Sequence, residues 1–243
     1  DDTPVGSATP ETTTTSAAPE SPTDAESPTD AEGVKRSQPA TSVLGFIVSQ
    51  PVVGGVMAVG VLAMLGAGVV ALIPGLVAER FDGDARATGL LYAAVAIGAM
   101  VAALTSGWLA AVRRPGRLLI GALIVAFAIQ ILFGLAPVVW LALGLLVVIG
   151  FVEAIQEVVR YALIQHHTPG PLLGRVNGIW MAQEVSGVTV GALVAGALGS
   201  VWSASDAIVY YGIGLLALAV LAALVLRPLM QVEHRPESEE ISR

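Results

Sequence analysis

From Val52 onward the chain runs in long apolar stretches broken by short clusters of Gly, Pro and Arg. That pattern predicts helices buried on all sides by lipid or protein, rather than the one-sided helices of a soluble domain. Six stretches stand out, at about Val52–Val77, Thr88–Val112, Leu118–Ala136, Val138–Gln165, Val176–Val201 and Ala207–Leu226. Each has roughly 19–28 residues, enough to cross a hydrocarbon core of about 30 Å at 1.5 Å per residue, the longer ones with tilt. Pro51, Pro137 and Pro228 stand at boundaries, where a missing N–H costs least. Residues 41–50, TSVLGFIVSQ, read as a short amphipathic lead-in rather than a seventh span. The expected fold class is an all-α membrane protein with six transmembrane helices.

The first forty residues differ. They are rich in Thr, Ser, Pro, Ala and acids, and repeat ESPTDA at Glu20–Ala25 and Glu26–Ala31. Such a segment buries too little apolar surface to offset its ordering entropy, so it is expected to be a disordered acidic linker. It lacks a basic stretch followed by an apolar run and does not read as a signal peptide.

Composition agrees with this division. The chain is 55% hydrophobic and 13% charged, with mean hydropathy +0.77, where a soluble domain carries about 25% charge. The net charge of -7 is concentrated: eight of the 19 acidic residues precede Gly33, in a segment with no base. The remainder is close to neutral, and nothing points to nucleic acid. No cysteine is present, which excludes disulfides and thiolate metal sites. His166 and His167 are expected at the solvated end of a span rather than in a metal site.

Arginine placement predicts orientation. Arg113, Arg114 and Arg117 crowd the connection after the second span and Arg175 follows the fourth, while Lys35, Arg36 and Arg227 flank the bundle. These connections fall on one side, expected to be cytoplasmic, with both termini. Opposite them, Arg80 and Arg86 are offset by Glu79, Asp82 and Asp84.

Polar residues inside the spans are unevenly shared. The third span has Gln130 as its one strongly polar side chain and the sixth has no charge. The fourth carries Glu153, Gln156, Glu157 and Arg160, and the fifth Asn177, Gln183, Glu184, Ser186 and Thr189. The third and sixth helices are therefore expected to face lipid, while the fourth and fifth line something wet. Spacings of three and four put Glu153, Glu157 and Arg160 within an arc of roughly 60°. Glu157 and Glu184 are expected about 12 Å deep from the cytoplasmic side, counting 1.5 Å per residue. Charge at that depth costs about 2.5–3.5 kcal/mol per residue on insertion scales. Arg160 has the reach to neutralise one acid, leaving Glu153 without an obvious counter-charge. Two readings follow: Gln156, Gln183 and water satisfy the remaining acids, or Glu153 takes up protons in a transport cycle. Glycines at 187, 191, 196 and 199, and at 54, 55, 60, 66 and 68, allow close helix approach.

Several strings carry a family resemblance: GLLYAAVAIGAMVAALTSGWLA (Gly89–Ala110), RPG (Arg114–Gly116) and, above all, LLGRVNG (Leu172–Gly178) followed by Trp180 and Gln183. They resemble the enterobactin exporter group of the major facilitator superfamily, over residues from about 50 to 226. GWLAAVRRPGR (Gly107–Arg117) is similar to a degraded form of the superfamily's cytoplasmic loop, without its usual acid. The charges at 153, 157 and 160 depart from the group's pattern.

The resemblance implies the C-terminal six-helix half of a twelve-helix transporter in the bacterial cytoplasmic membrane. Its domains would be a linker at 1–40, a lead-in at 41–51, a half-transporter at 52–226 and a cytoplasmic tail at 227–243. It further implies a proton-driven antiporter, not an enzyme, that exports a siderophore or similar small molecule without cofactor or metal. Glu153, Gln156, Glu157, Arg160, Gln183 and Glu184 become the candidate substrate or proton pathway. Six helices do not make an alternating-access pathway alone, so an N-terminal half or a second half-length chain is an expected partner. The competing expectations are a multidrug efflux protein of the same superfamily and a non-transporting membrane scaffold.

Overall fold

A computed structural model describes residues 43–226. The expected disordered linker, Lys35 and Arg36, and the tail from Arg227 with its Pro228 boundary lie outside the described residues. Among the described residues the structure is helical: α1 (Val43–Ser49), α2 (Pro51–Ala67), α3 (Ile73–Arg80), α4 (Ala85–Thr105), α5 (Pro115–Gly134), α6 (Val139–His167), α7 (Gly170–Gly199) and α8 (Ala204–Val225). Six helical stretches are long and apolar enough to cross a membrane, α2 and α3 together forming the first, Pro51–Arg80. The short α1 falls within residues 41–50, where a lead-in is expected.

Local chemistry explains most boundaries. Proline opens α2, α5 and α7, where its absent N–H would have had no helical partner. Asp84 caps α4 by accepting from the Arg86 N–H at 2.9 Å, and Ser203 caps α8 by accepting from the Asp206 N–H at 3.1 Å. A turn with left-handed backbone at Asp82 (φ 55°) and Gly83 (φ 68°) joins α3 to α4.

The first span extends past the expected Val77 to Arg80, although Pro74 lies within it. A 3₁₀ stretch, Gly68–Leu72, absorbs the disruption. Pro74 has no N–H for the carbonyl of Val70, four residues earlier; that carbonyl accepts instead from the Ile73 N–H of the 3₁₀ stretch and from the Tyr92 hydroxyl, at 3.3 Å. The Leu65 carbonyl, where the pitch changes, accepts from the Tyr211 hydroxyl at 2.6 Å. Two tyrosines from other helices thus satisfy backbone at the bend.

α2 is central, touching α5, α6, α7 and α8; α4 packs on α6, and α5 on both α6 and α8. Two crossings are tight enough to exclude side chains. A Cβ on Gly98 would meet the Val147 carbonyl, and one on Gly150 would meet the Val95 carbonyl, so α4 and α6 approach backbone to backbone. Gly191 of α7 stands likewise against Leu65 backbone, and Gly68 against Gly191. Gly196 has nothing within 4 Å and serves no such crossing.

The connections sort into two ends. Arg80 donates to the Ala136 carbonyl at 3.3 Å, and the Glu79 carboxylate accepts from the Ser205 hydroxyl at 2.6 Å and its N–H at 3.2 Å. These contacts gather the α3–α4, α5–α6 and α7–α8 connections at one end. Arg113 and Arg114 precede α5 at the other, with Arg117 in its first turn. The expected TPGPLLGR connection is mostly helix: only Thr168 and Pro169 separate α6 from α7. Pro171 starts α7 rather than breaking it, so Arg175 lies inside the helix and not in a loop.

Candidate functional site

The earlier start of α7 changes the depth of its acid. Glu184 stands near the midpoint of Gly170–Gly199, not close to one end, and Glu153 is the midpoint of Val139–His167. Both carboxylates therefore belong to the middle of their spans, where charge is most expensive.

One acid is neutralised. Arg160, only 2% exposed, places Nη2 3.5 Å from Glu184 Oε1. The Trp180 indole N–H donates to the same oxygen at 2.7 Å, across one turn of α7. The guanidinium also lies 5.8 Å from the centroid of the Trp180 ring, within cation–π range. Space for it comes from α2: a Cβ on Gly60 would sit 2.8 Å from Arg160 Nη1 and 2.5 Å from Gln183 Nε2. Glycine at 60 therefore permits the ion pair. Trp180 and Gly60 are functional neighbours that sequence reasoning missed, although the four-residue spacing of Trp180 and Glu184 on one helix face signals the first.

Glu153 and Glu157 are different. Neither has an ion-pair partner within 4 Å or a hydrogen bond among the described residues. The glutamines do not supply one: Gln183 Nε2, a donor, is buried and unpartnered, as is the acceptor Gln156 Oε1. Glu153 is half-buried and Glu157 exposed, both on a cavity of about 170 Å³ between α2, α4 and α6. Ala63, Met64 and Ala67 close it from α2, Val95 and Ala99 from α4, with Gln156 and Arg160 completing the α6 wall. A second, shallower hollow of about 330 Å³ adjoins it, sharing Met64 and Glu157 and adding Glu184, Val185 and Val188.

The structure thus brings Glu153, Gln156, Glu157, Arg160, Gln183 and Glu184 to one region, and leaves Arg113, Arg114, Arg117 and Arg175 outside it. Neither hollow has a lining residue from α5 or α8, the two helices expected to face lipid. Much of α7 is uncovered, with Met181, Val185 and Leu193 exposed. Its exposed hydroxyls close on their own helix, Ser186 donating to the Ala182 carbonyl and Thr189 to that of Val185. Among the described residues no group of three His, Cys, Asp or Glu is placed to hold a metal ion. His166 and His167 end α6, where His167 Nδ1 lies 2.9 Å from the Leu163 carbonyl.

The family model described as Major Facilitator Superfamily matches residues 55–242. The enterobactin exporter EntS of Escherichia coli O1:K1 is 37% identical over 204 residues, covering 83% of this chain and 49% of that protein. EntS of Escherichia coli O127:H6 matches with the same identity and coverage. The chain spans about half the length of the curated relatives it matches. No solved structure matches it.

Proposed function

This chain belongs to the Major Facilitator Superfamily, and we propose that it forms one six-helix half of a secondary active exporter moving a siderophore or similar small molecule outward in exchange for protons. Family and relatives point to a multi-pass membrane transporter rather than an enzyme. The observation that carries the reading is the mid-span cluster on α6 and α7. Two carboxylates without partners line a cavity, and the adjoining face of α7 is open. The exposed Glu157 carboxylate beside that apolar face is not stable against lipid; a second six-helix unit would cover it and turn both hollows into an enclosed path. That unit is either an N-terminal half or another half-length chain. Segment 1–40 fits a linker and 227–243 a tail.

Glu153 is assigned the proton, being the mid-span acid farther along α6 from Arg160. The arginines at 113, 114, 117 and 175 favour a cytoplasmic location for their end of the bundle, and for both termini, in the inner membrane. Replacing Glu153 by Gln is expected to abolish proton-coupled efflux at unchanged protein level. Undiminished efflux in that variant removes Glu153 from the mechanism. Comparing compounds secreted by a deletion strain and its parent identifies the cargo. If the two media match while the deletion strain becomes sensitive to toxic cations, the chain is a multidrug efflux component, a reading that the two unpartnered carboxylates favour.

A further inference from the structure

We infer that the cavity between α2, α4 and α6 is a subsite for a cationic head group, a protonated amine of the transported molecule; this rests on the export reading above. Three polar residues of α6 line the cavity beside the arginine: Glu153, Gln156 and Glu157. Both carboxylates lack an ion pair among the described residues. Gln156 is 2% exposed, and its Oε1 has no hydrogen-bond partner. Buried polar atoms are rarely left so, and an orphaned acceptor on a residue that lines a cavity gains a partner if the side chain turns toward a donor bound there. All three groups accept hydrogen bonds from an ammonium.

The local charge favours the same ligand. Arg160 also lines the cavity, but its guanidinium is held by Glu184 at 3.5 Å and by the Trp180 ring. With that pair neutral, the cavity keeps two carboxylates, both negative whenever Glu153 is not carrying the proton. An anionic group would have to face both carboxylates and pull Arg160 from its partner. An ammonium instead gains charge-assisted hydrogen bonds to them.

Size limits the head group. An apolar cavity of about 150 Å³ holds a benzene-sized ring, and this one is about 170 Å³. Ala63, Ala67, Val95 and Ala99 give it an apolar floor for a short alkyl chain or a single ring. The rest of a larger molecule would extend past Met64 into the adjoining hollow.

The test is equilibrium binding of three probes of matched size to the intact protein in lipid nanodiscs: benzylammonium, benzyl alcohol and benzoate. Benzylammonium is expected to bind at least about tenfold tighter than either other probe. Glu153→Gln with Glu157→Gln should erase that preference, and Gln156→Leu should weaken benzylammonium roughly three- to tenfold. Equal binding of the three probes, or a preference that survives the double substitution, overturns the inference. Preferred binding of benzoate overturns it too and makes Arg160 the recognising group. If the double variant does not fold, the probe series on the unaltered protein decides alone. Efflux in cells separates this inference from the reading beneath it. Efflux with no benzylammonium preference removes the subsite and keeps the exporter; preference without efflux keeps the subsite and removes the exporter.

Discussion

Arg160 and Glu153 stand two turns apart on one face of α6, in opposite electrostatic situations. Around Arg160 the charges are paired, with Glu184 at 3.5 Å, the Trp180 N–H on the same carboxylate at 2.7 Å and the Trp180 ring beside the guanidinium, although its buried Nε has no hydrogen-bond partner. Around Glu153 and Glu157 there is a cavity, an orphaned glutamine oxygen and no ion pair among the described residues. A membrane interior penalises both arrangements, but differently. The first is stabilised from within the chain and serves as structure. The second is left for something that arrives, so stability and function should separate along a single helix face.

The largest expected effect comes from breaking the paired side. Glu184→Gln leaves a 2% exposed guanidinium without its counter-charge, a change that costs about 3–5 kcal/mol. Thermal unfolding in nanodiscs should fall accordingly. Adding Arg160→Gln to that variant should recover most of the loss, because the stranded charge is gone. If Glu184→Gln unfolds with the unaltered protein, the ion pair is not what distinguishes this region. A smaller effect follows from Trp180→Phe, which keeps a ring beside Arg160 and removes the donor to Glu184. A hydrogen bond to a charged acceptor contributes about 1.5–3 kcal/mol. The low end applies, since Glu184 keeps 29% exposure and so some access to other donors.

The unpaired side should respond in the reverse sense. Glu153→Gln removes no ion pair or hydrogen bond and lowers the charge that folding must desolvate. Unfolding of that variant should match or exceed the unaltered protein, by about 0–1 kcal/mol, while proton-coupled efflux is lost. A large destabilisation would mean that Glu153 holds the bundle together, and the contrast along α6 would collapse.

How far this contrast was legible in the sequence depends on which contact is asked about. The six spans follow from apolar runs, since lipid imposes one simple rule on every residue of a helix. The grouping of Glu153, Glu157 and Arg160 follows from helical spacing alone. Which acid Arg160 takes does not, because it depends on a second helix and on Gly60 leaving room from a third. Spacing alone puts Glu184 nearer one end of its helix than the structure does, because Pro171 and Gly174 read as loop residues, whereas proline at a helix start and glycine within an apolar helix are compatible with α7. The bend at Pro74 is hidden for a related reason: the 3₁₀ turn and Tyr92, from a distant part of the chain, together satisfy the carbonyl that Pro74 leaves.

Two buried glutamines allow the finest test. Gln130 on α5 and Gln156 on α6 are 4% and 2% exposed, and each leaves one amide atom without a partner, Nε2 and Oε1 respectively. Their surroundings differ. Gln130 lines neither hollow, whereas Gln156 lines the same cavity as Glu153 and Glu157. Replacing a buried, unsatisfied amide by a leucine of similar shape is close to neutral or mildly stabilising, by about 1 kcal/mol or less. Gln130→Leu and Gln156→Leu should therefore unfold alike, at or slightly above the unaltered protein. Only Gln156→Leu should weaken benzylammonium binding, because only there does the residue with the orphaned atom line a space that a ligand can enter. Equal losses of binding in both variants would trace the effect to general helix packing. No loss in either would leave the Gln156 oxygen as an unsatisfied group with no part in recognition.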